Sequence, residues 1–521
     1  MYRNKGTITV FLSLISMLFL SLFCTMAESV RVQAARFQAA AAFDMGLFSI
    51  FGEYDRVLLE EYDLWFLDGS NEEQKIREVL ETKLEKYIQP NINPRYNLAA
   101  GRSWDVFPTE LDRCTVDKYA LATDHGGQVF YSQAVENQKE LFVGEAASAL
   151  KKNIKQMEEG HQKGEEYQNE EQKADEEYQR AQAAQMEEKK RQESEKENAE
   201  KQEESDIKET EAVQAKVENP LDQIKKIKSM GILGLVLKDG TVVSDKTIER
   251  KNLPSERNLQ KGSLLVNEIS ADPVSEAIFL NYLQKHFQCA VDEGGKHQKG
   301  SKEHSLSYEL EYIIGGQKSD RENLKKTVNR ILLIREGMNY ATLEKSAKMR
   351  GEAMALAAAI TGAAALPEFA GALQKLLMLA WAYGESLLDV RTLLAKGKVP
   401  MLKAETEWKL PLEKLGMLAE VLKECDAGGG NGQSYEDYLS GLLILGKKQQ
   451  RNLRVLDLIE CNRRMEKGGE TFRVDALVAQ AEASADFELA PVFLRVPAVW
   501  MHVRNQGTAY TIKGQYGYGQ P

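Results

Sequence analysis

The stretch that decides the architecture lies near the amino terminus, from Ile8 to Met26, and reads ITVFLSLISMLFLSLFCTM. These 19 residues, the apolar run, carry no charge. As a helix rising about 1.5 Å per residue they span roughly 28 Å, which matches the hydrocarbon core of a bilayer. Arg3 and Lys5 precede the run, and basic flanks stay on the cytoplasmic side. The sequence therefore predicts one membrane crossing, with residues 1–7 in the cytoplasm and the bulk of the chain outside.

A cleaved signal peptide is the alternative interpretation of the same stretch. Thr25-Met26-Ala27 is a tolerable cleavage site. The apolar run is longer than the usual signal-peptide core of about 7 to 15 residues, which favours a retained anchor. Cleavage after Ala27 stays open at this point.

The chain continues in helix-favouring residues beyond the apolar run. Residues 28–62 are rich in alanine, and apolar residues recur there at steps of three and four: Val30, Ala34, Phe37 and Ala41. That spacing places them on one face of a helix. The membrane helix and the first helix outside it are therefore predicted to form one continuous rod.

The net charge of the chain is concentrated in one segment, residues 158–211. The 521 residues include 68 Lys and Arg against 79 Asp and Glu, a net charge of -11, and this segment alone holds 20 acidic and 9 basic residues. A chain with an acidic segment and an otherwise balanced charge is not a general nucleic-acid binder, which needs a basic surface. The segment lacks Leu, Val, Phe and Trp, so we predict a solvated, partly helical spacer whose first turns Gly160 and Gly164 weaken. A partner-binding arm is the alternative.

Four potential metal ligands lie within 19 residues: His286, Cys289, His297 and His304. Zinc uses such side chains, but the spacing His-x2-Cys-x7-His-x6-His matches no structural zinc module. The stretch is also rich in glycine and lysine. We predict solvated histidines in a loop, with no metal and no cofactor.

The chain carries none of the common catalytic motifs. It has no Gly-x-Ser-x-Gly, no His-Glu-x-x-His and no phosphate-binding loop. Two carboxylates stand close together in YELEY, at Glu309 and Glu311. We predict that they form structural ion pairs with Arg321, Arg330 or Arg335 rather than a catalytic dyad. The sequence therefore favours a protein without catalytic activity.

A cell-envelope carbohydrate-binding protein or hydrolase remains the alternative function. It would use Glu309, Glu311 or Glu385, and it predicts a concave pocket holding a carboxyl group with a raised pKa.

Four cysteines lie beyond the apolar run, at Cys114, Cys289, Cys425 and Cys461. Disulfides persist in an extracellular compartment, and four cysteines allow three full pairings. Buried free thiols are the alternative, and the sequence does not choose between them.

Several blocks of the sequence resemble a family of Gram-positive bacterial membrane proteins catalogued as domain of unknown function 5702. The blocks are KGTITVFL at 5–12, ESVR at 28–31, EYD at 53–55, EYDL at 61–64, YELEYI at 308–313 with Gly316, NLK at 323–325, LIRE at 333–336 with Asn339, AWAYGES at 380–386 and DVR at 389–391. The resemblance covers nearly the whole chain except the acidic segment. It implies an association with tight-adherence (Flp) pilus assembly and its small pseudopilin-like components.

One position departs from the pattern of pilins. Prepilin-type cleavage after Gly6 would make Phe11 the fifth mature residue, where pilins usually carry a Glu that pairs with a neighbouring amino terminus. We therefore expect an anchored accessory or minor component rather than a filament subunit. Its expected partners are the lipid bilayer, through Ile8 to Met26, and other pilus-assembly or envelope proteins.

The predicted fold class is mainly α with small β elements (α+β), with one transmembrane helix continuing into a long ectodomain helix. A β-hairpin is predicted around Asp239-Gly240, within residues 231–243, and Ser434 is predicted to cap a helix running through Gly446 to Met465. The predicted division of the chain is 1–7 cytoplasmic amino terminus, 8–26 transmembrane helix, 27–157 pilin-like helix and first part of the ectodomain, 158–211 acidic spacer, 212–484 helical ectodomain and 485–521 C-terminal β segment.

Overall fold

The computed structural model describes residues 5–70, 75–92, 107–139, 145–199, 219–265, 269–270, 272–291, 303–363, 369–425, 429–494 and 507–518. The helices, in chain order, are α1 (Lys5–Phe51), α2 (Arg56–Tyr62), α3 (Ile76–Ile92), α4 (Asp124–Gln138), α5 (Glu145–Ala199), α6 (Pro220–Ser229), α7 (Ile232–Val236), α8 (Pro273–His286), α9 (Glu309–Gly315), α10 (Asp320–Lys345), α11 (Ala347–Ala363), α12 (Ala370–Leu394), α13 (Leu418–Glu424), α14 (Tyr435–Leu445) and α15 (Lys448–Met465). The strands are β1 (Leu67–Asp68), β2 (Thr109–Leu121), β3 (Leu477–Leu489) and β4 (Thr508–Gly517). The predicted fold class, mainly helical with a small sheet, is confirmed.

The chain forms two compact units, and each is assembled from separate stretches of the sequence. Unit 1 comprises Met1–Leu141, Lys251–Ser270 and Val455–Pro521. Unit 2 comprises Phe142–Arg250 and Ala271–Arg454.

Helix α1 of unit 1 is the predicted continuous rod. It runs for 47 residues, from the apolar run into the folded part of the unit. It is long and apolar enough to cross a membrane once, and its most apolar window is only 6% buried within the protein. Because hydrocarbon is the solvent that such a surface needs, the fold supports a single-span anchor followed by an ectodomain.

The sheet of unit 1 is built around β3. This strand pairs antiparallel with β2 on one edge, with Thr115 opposite Ser484, and with β1 and β4 on the other. β3 begins at Leu477 and β4 ends at Gly517, so strands do occur in the C-terminal part of the chain. The pairing brings residues from both ends of the sequence into one sheet.

The core of unit 1 lies between this sheet, α1 and α3. Alanines at alternate positions of β3 face the helices, namely Ala481, Ala483 and Ala485. On α1 the buried side chains include Ala39, Ala42, Phe43, Leu47 and Ile50. Gly514 of β4 lets the helix approach closely, because an added Cβ would lie 2.9 Å from the Phe43 ring. Small residues on the sheet therefore make room for the large residues of the helix.

Unit 2 is a bundle in which α12 is the central helix. Every residue from Leu376 to Leu393 is buried, a pattern typical of a helix surrounded by protein on all sides. Helices α5, α10 and α11 pack against it. The Trp381 indole donates to the carbonyl of Leu410 at 2.6 Å, so even the polar atom of this core residue is satisfied.

The first half of α5 differs from the solvated spacer predicted for residues 158–211. Tyr167 is buried and lies 4.1 Å from the Tyr340 ring of α10. The buried positions of α5 recur at steps of three, four and seven, which keep them on one face of the helix: Met157, Gly160, Gly164, Tyr167, Ala174 and Tyr178. The prediction was wrong here because it counted large aliphatic side chains, whereas this face buries glycine, alanine and tyrosine.

Gly160 and Gly164 do not weaken the helix, as the sequence had suggested, but bring it against α10. A Cβ added to Gly164 would lie closer than 3.0 Å to the Leu333 carbonyl oxygen. A Cβ added to Gly337 would also lie closer than 3.0 Å to the carbonyl oxygen of Gly160. Glycine on both helices therefore lets the two backbones touch, the arrangement that small residues four apart favour.

Two local predictions are also corrected. Residues 231–243 do not form a hairpin, because Ile232 and Val236 lie one helical turn apart and are both buried in α7; only the turn at Gly240 remains, with a φ of 84°. Ser434 does cap a helix, with a reciprocal capping box to Asp437. That helix ends at Leu445 rather than passing through Gly446.

Candidate functional site

Helix α1 has a row of exposed apolar side chains that begins in the apolar run and continues along the rest of the helix. We call it the α1 stripe, and its members are Phe23, Met26, Val30, Phe37 and Phe48. At about 100° per residue these five positions fall within an arc of about 60°. Phe37 is 79% and Phe48 64% exposed, and one edge of the Phe48 ring also meets Tyr516 of β4, with the ring centroids 5.8 Å apart. Large apolar side chains exposed in a row typically mark a surface that something covers.

The far end of the α1 stripe lies beyond the reach of a bilayer that covers the apolar run. Phe37 and Phe48 follow Met26 at about 17 Å and 33 Å along the helix axis. A bilayer placed over the apolar run would therefore cover the beginning of the stripe and not its end.

A buried ion pair on α1, just after the apolar run, also holds the loop of residues 490–493 through hydrogen bonds. The Arg31 guanidinium contacts the Glu28 carboxylate and donates to the carbonyl of Ala490 at 2.6 Å. Glu28 in turn accepts from the backbone N–H groups of Val492 and Phe493, at 3.2 and 2.8 Å. These charges are satisfied by each other and by the backbone, so they tolerate burial. The loop of residues 490–493 is thereby held beside the end of the span.

Unit 2 contains the central charge cluster, which we define as Arg335, Asn339, Glu385, Asp389 and Lys403. Arg335 Nε donates to Asp389 Oδ2 at 3.0 Å, and Arg335 Nη1 donates to the carbonyl of Met401 at 2.8 Å. Lys403 Nζ contacts Asp389 Oδ1 at 2.5 Å and also the Glu385 carboxylate. The side chains of all four charged residues are at most 2% exposed. Two bases and two acids thus neutralise each other inside the bundle.

The electrostatics of the central charge cluster follow from this geometry. Burial acts to raise the pKa of Asp389, but the charges of Arg335 and Lys403 outweigh it and hold that pKa below its usual range. Burial, with the neighbouring Asp389 charge, raises the pKa of Glu385. The cluster joins α10 and α12 to the segment around residue 403. Because its side chains are sealed from solvent, its role is to hold the bundle together.

The two carboxylates of the YELEY block lie on α9 and are fully buried. Glu309 accepts from the backbone N–H of Gln288 at 2.9 Å and contacts His304 Nδ1 at 2.8 Å. Glu311 accepts from the backbone N–H of Ala290 and from the hydroxyl of Tyr435, both at 2.9 Å. Both carboxylates therefore hold the segment that follows α8.

The arginines predicted as partners of these carboxylates lie elsewhere. Arg321 pairs with Asp245 on the surface, Arg335 belongs to the central charge cluster, and Arg330 donates to the carbonyl of Ile314. The prediction of arginine ion pairs was wrong because it relied on proximity in sequence.

Glu311 is expected to make the stability of unit 2 depend on pH. Burial raises its pKa to about 7, so between about pH 4.5 and 7 the folded state holds a proton that the unfolded state has lost. Stability is then expected to fall as the pH rises through this window, by up to about 3 kcal/mol. The Glu311→Gln variant should lose this contribution, and urea unfolding of both proteins at pH 5 and pH 8 measures it. Equal pH dependence in the two proteins would contradict the assignment.

The potential metal ligands do not converge. The His286 ring packs 4.6 Å from the Tyr282 ring, the Cys289 thiol donates to the carbonyl of Val291, and His304 contacts Glu309. His297 lies outside the described residues. Within the described part of the chain, no group of three or more His, Cys, Asp or Glu side chains could hold a metal ion.

The five cysteines all lie in described residues, and no disulfide joins any two of them. Burial raises the pKa of the Cys114 and Cys461 thiols to about 12. Such thiols are poor nucleophiles, which fits a packing role.

A polar cleft of about 500 Å³ opens in unit 2 and was not predicted from the sequence. Its lining includes Lys228, Lys325, Glu336 and Tyr383. Lys228 pairs with Glu171 at 2.5 Å and lies over the Tyr383 ring at 4.8 Å. Burial raises the pKa of Glu336 to about 7. The LIRE block contains Glu336, but nothing in its sequence context distinguishes this carboxyl from an ordinary surface one.

Comparison with known proteins places most of unit 2 and part of unit 1 in one family. No curated protein and no solved structure matches the chain. The family match covers residues 209–489, which include the blocks at 308–313, 333–336 and 380–391 and hence the central charge cluster. The chain belongs to this family of unknown function, DUF5702.

Proposed function

We propose that this protein is a membrane-anchored, non-catalytic component of the cell surface that acts as an accessory or minor pseudopilin-like subunit in tight-adherence pilus assembly. In this proposal the amino terminus is cytoplasmic, the apolar run spans the membrane, and the rest of unit 1 and all of unit 2 lie outside. The observation that carries it is α1, one unbroken helix that is apolar and exposed over the span and still exposes large apolar side chains beyond it.

The fold suits a protein that acts by contact. Hydrogen bonds from Arg31 to Ala490, and from Val492 and Phe493 to Glu28, hold the loop of residues 490–493 against α1. In this proposal the α1 stripe is therefore displayed at a defined height above the lipid. The buried charges of the central charge cluster in unit 2 pair with one another and hold its helices together, as Arg335 and Asp389 do. A rigid display of one helical surface is what an assembly component requires, and it needs no reactive group.

Phe11 supports an accessory role over a filament role. The apolar run holds no carboxylate, so it lacks the group that would neutralise the amino terminus of a neighbouring subunit inside a filament. Retention in the membrane is therefore the more favourable state of α1. The expected partners are the bilayer and other membrane-anchored assembly proteins.

Deletion of the gene in a strain that makes tight-adherence pili tests this function. We expect fewer or shorter surface pili by electron microscopy, restored by the wild-type gene. The Arg321→Ala variant is a matched control for complementation, because the Arg321 and Asp245 side chains that form this ion pair are both exposed on the surface. Normal piliation in the deletion strain would contradict the proposal.

The alternative, a cell-envelope carbohydrate-binding protein or hydrolase, is favoured by one observation, the cleft that contains Glu336. Glu309, Glu311 and Glu385 are buried in contacts of their own and do not line this cleft. Titration of the protein with soluble cell-wall glycan fragments, followed by calorimetry, tests it. Binding that is lost in the Glu336→Gln variant would support carbohydrate recognition. If the wild-type protein gives no heat of binding, this alternative function is excluded for the glycans tested.

A further inference from the structure

We propose that the α1 stripe is a self-association surface, along which two copies of this protein pack their α1 helices in parallel. This rests on the proposed anchoring through α1, and it names the partner of that helix. The observation that carries it is the row of exposed apolar side chains on one face of α1, from Phe23 at the lipid level to Phe48 above it, interrupted by one charge at Asp44.

The occupant of the stripe must itself pass from lipid into water. Lipid solvates Phe23 and Met26 but does not reach Phe37 or Phe48, about 17 Å and 33 Å farther along the axis than Met26. A soluble partner would cover only the distal part. A second membrane-anchored helix covers the whole length, because it lies parallel to α1 and leaves the bilayer at the same level.

A second copy meets this requirement with the correct register. Two copies anchored by the same apolar run have the same orientation and the same depth, so a two-fold axis along the membrane normal brings each stripe residue opposite its counterpart. Phe37 then faces Phe37, and aromatic rings can pack offset or edge to face. Confinement to one membrane also raises the effective concentration of each copy for the other.

Small residues beside the stripe allow the two helices to approach closely. Ala34 and Ala41 lie within about 60° of Phe37 around the helix. Ala34 is exposed and Ala41 is half-buried. Alternation of phenylalanine with alanine leaves space for the rings of the partner, because small residues let helix backbones come together.

Asp44 gives the proposed interface a diagnostic property. Its exposed carboxylate lies about 20° from Phe37 around the helix, inside the stripe. In a parallel, in-register pair the two Asp44 carboxylates face each other, and like charges weaken the association. A partner with a basic residue at this level would instead be attracted. Removal of this charge therefore distinguishes self-association from binding to a basic helix.

Cysteine crosslinking of the full-length protein in native membranes tests the proposal. The Phe37→Cys variant, treated with a short bis-maleimide, is expected to give at least about five-fold more covalent dimer than the Arg36→Cys variant. Arg36 is the matched control, because it is also exposed, stands at the same height and points about 100° away. The unsubstituted protein, with its five native cysteines, sets the baseline.

Two further variants sharpen the outcome. With a Val30→Cys reporter, the Phe37→Gln, Phe48→Gln double variant should lose most of the dimer, whereas Asp44→Asn should increase it. Equal dimer from the Phe37→Cys and Arg36→Cys variants, or adducts with a different protein only, would overturn self-association. Carbonate extraction of the same membranes separates the two proposals. Protein that stays in the membrane but gives no dimer would refute the self-association surface alone. Protein that carbonate releases from the membrane would refute the membrane anchor as well.

Discussion

Replacing Arg335 with methionine is expected to lower the free energy of unfolding by about 3–5 kcal/mol. The guanidinium is fully buried and contacts Asp389, Asn339, the hydroxyl of Tyr438 and the carbonyl of Met401. Its removal leaves a buried cluster with two acids and only Lys403 as a base. The uncompensated negative charge, rather than the lost contact, accounts for most of the expected loss.

Denaturant unfolding of the detergent-solubilised protein measures this effect as a shift in midpoint at unchanged slope. Arg321→Ala is the matched control, since the Arg321 and Asp245 side chains are 57% and 76% exposed. Exposed pairs typically contribute less than about 1 kcal/mol. A loss at Arg335 no greater than that at Arg321 would contradict the structural role of the central charge cluster.

The Gly337→Ala variant should destabilise unit 2 by about 1–3 kcal/mol, the usual cost of overpacking. Alanine is normally the better helix former, by up to about 1 kcal/mol, so the expected sign is the reverse of the helix-propensity effect. The cause is the contact of α10 with α5, where an added Cβ would press on the backbone of Gly160 and Gly164.

Gly351→Ala provides the control for this substitution. Gly351 also lies in a helix, α11, but an added Cβ would meet no atom within 4 Å. We expect this variant to be neutral or more stable by urea unfolding. A Gly337→Ala variant as stable as Gly351→Ala would show that α5 does not pack on α10, and that the acidic segment is a solvated spacer after all.

The sequence predicts those features that depend on local pattern. The apolar run and the helical residues after it were sufficient to predict α1, because a long uncharged stretch has few other structures available. The cap at Ser434 was also predictable, since capping needs only residues within one turn. The failure at residues 231–243 has a similar local origin: Ile232 and Val236 fit a helical turn as well as a strand, and their burial decided between the two.

The features that depend on distant partners were not predictable. Arg335 and Asp389 are 54 positions apart, and nothing in a single sequence pairs them. The helix–helix contact of α5 was hidden for a different reason, because its buried face is made of residues such as Gly164 and Tyr167. A search for small residues at steps of three and four, rather than for aliphatic ones, would have found it.

The central claim is that α1 crosses the membrane once, with the rest of unit 1 and all of unit 2 on the outer side. Proteinase K added to intact cells tests it directly, with lysed cells as the control for intrinsic resistance of the fold. The account predicts that a tag at the carboxyl terminus is digested in intact cells, while a short fragment containing the apolar run stays with the membrane. A tag that survives in intact cells and is lost only after lysis would contradict it.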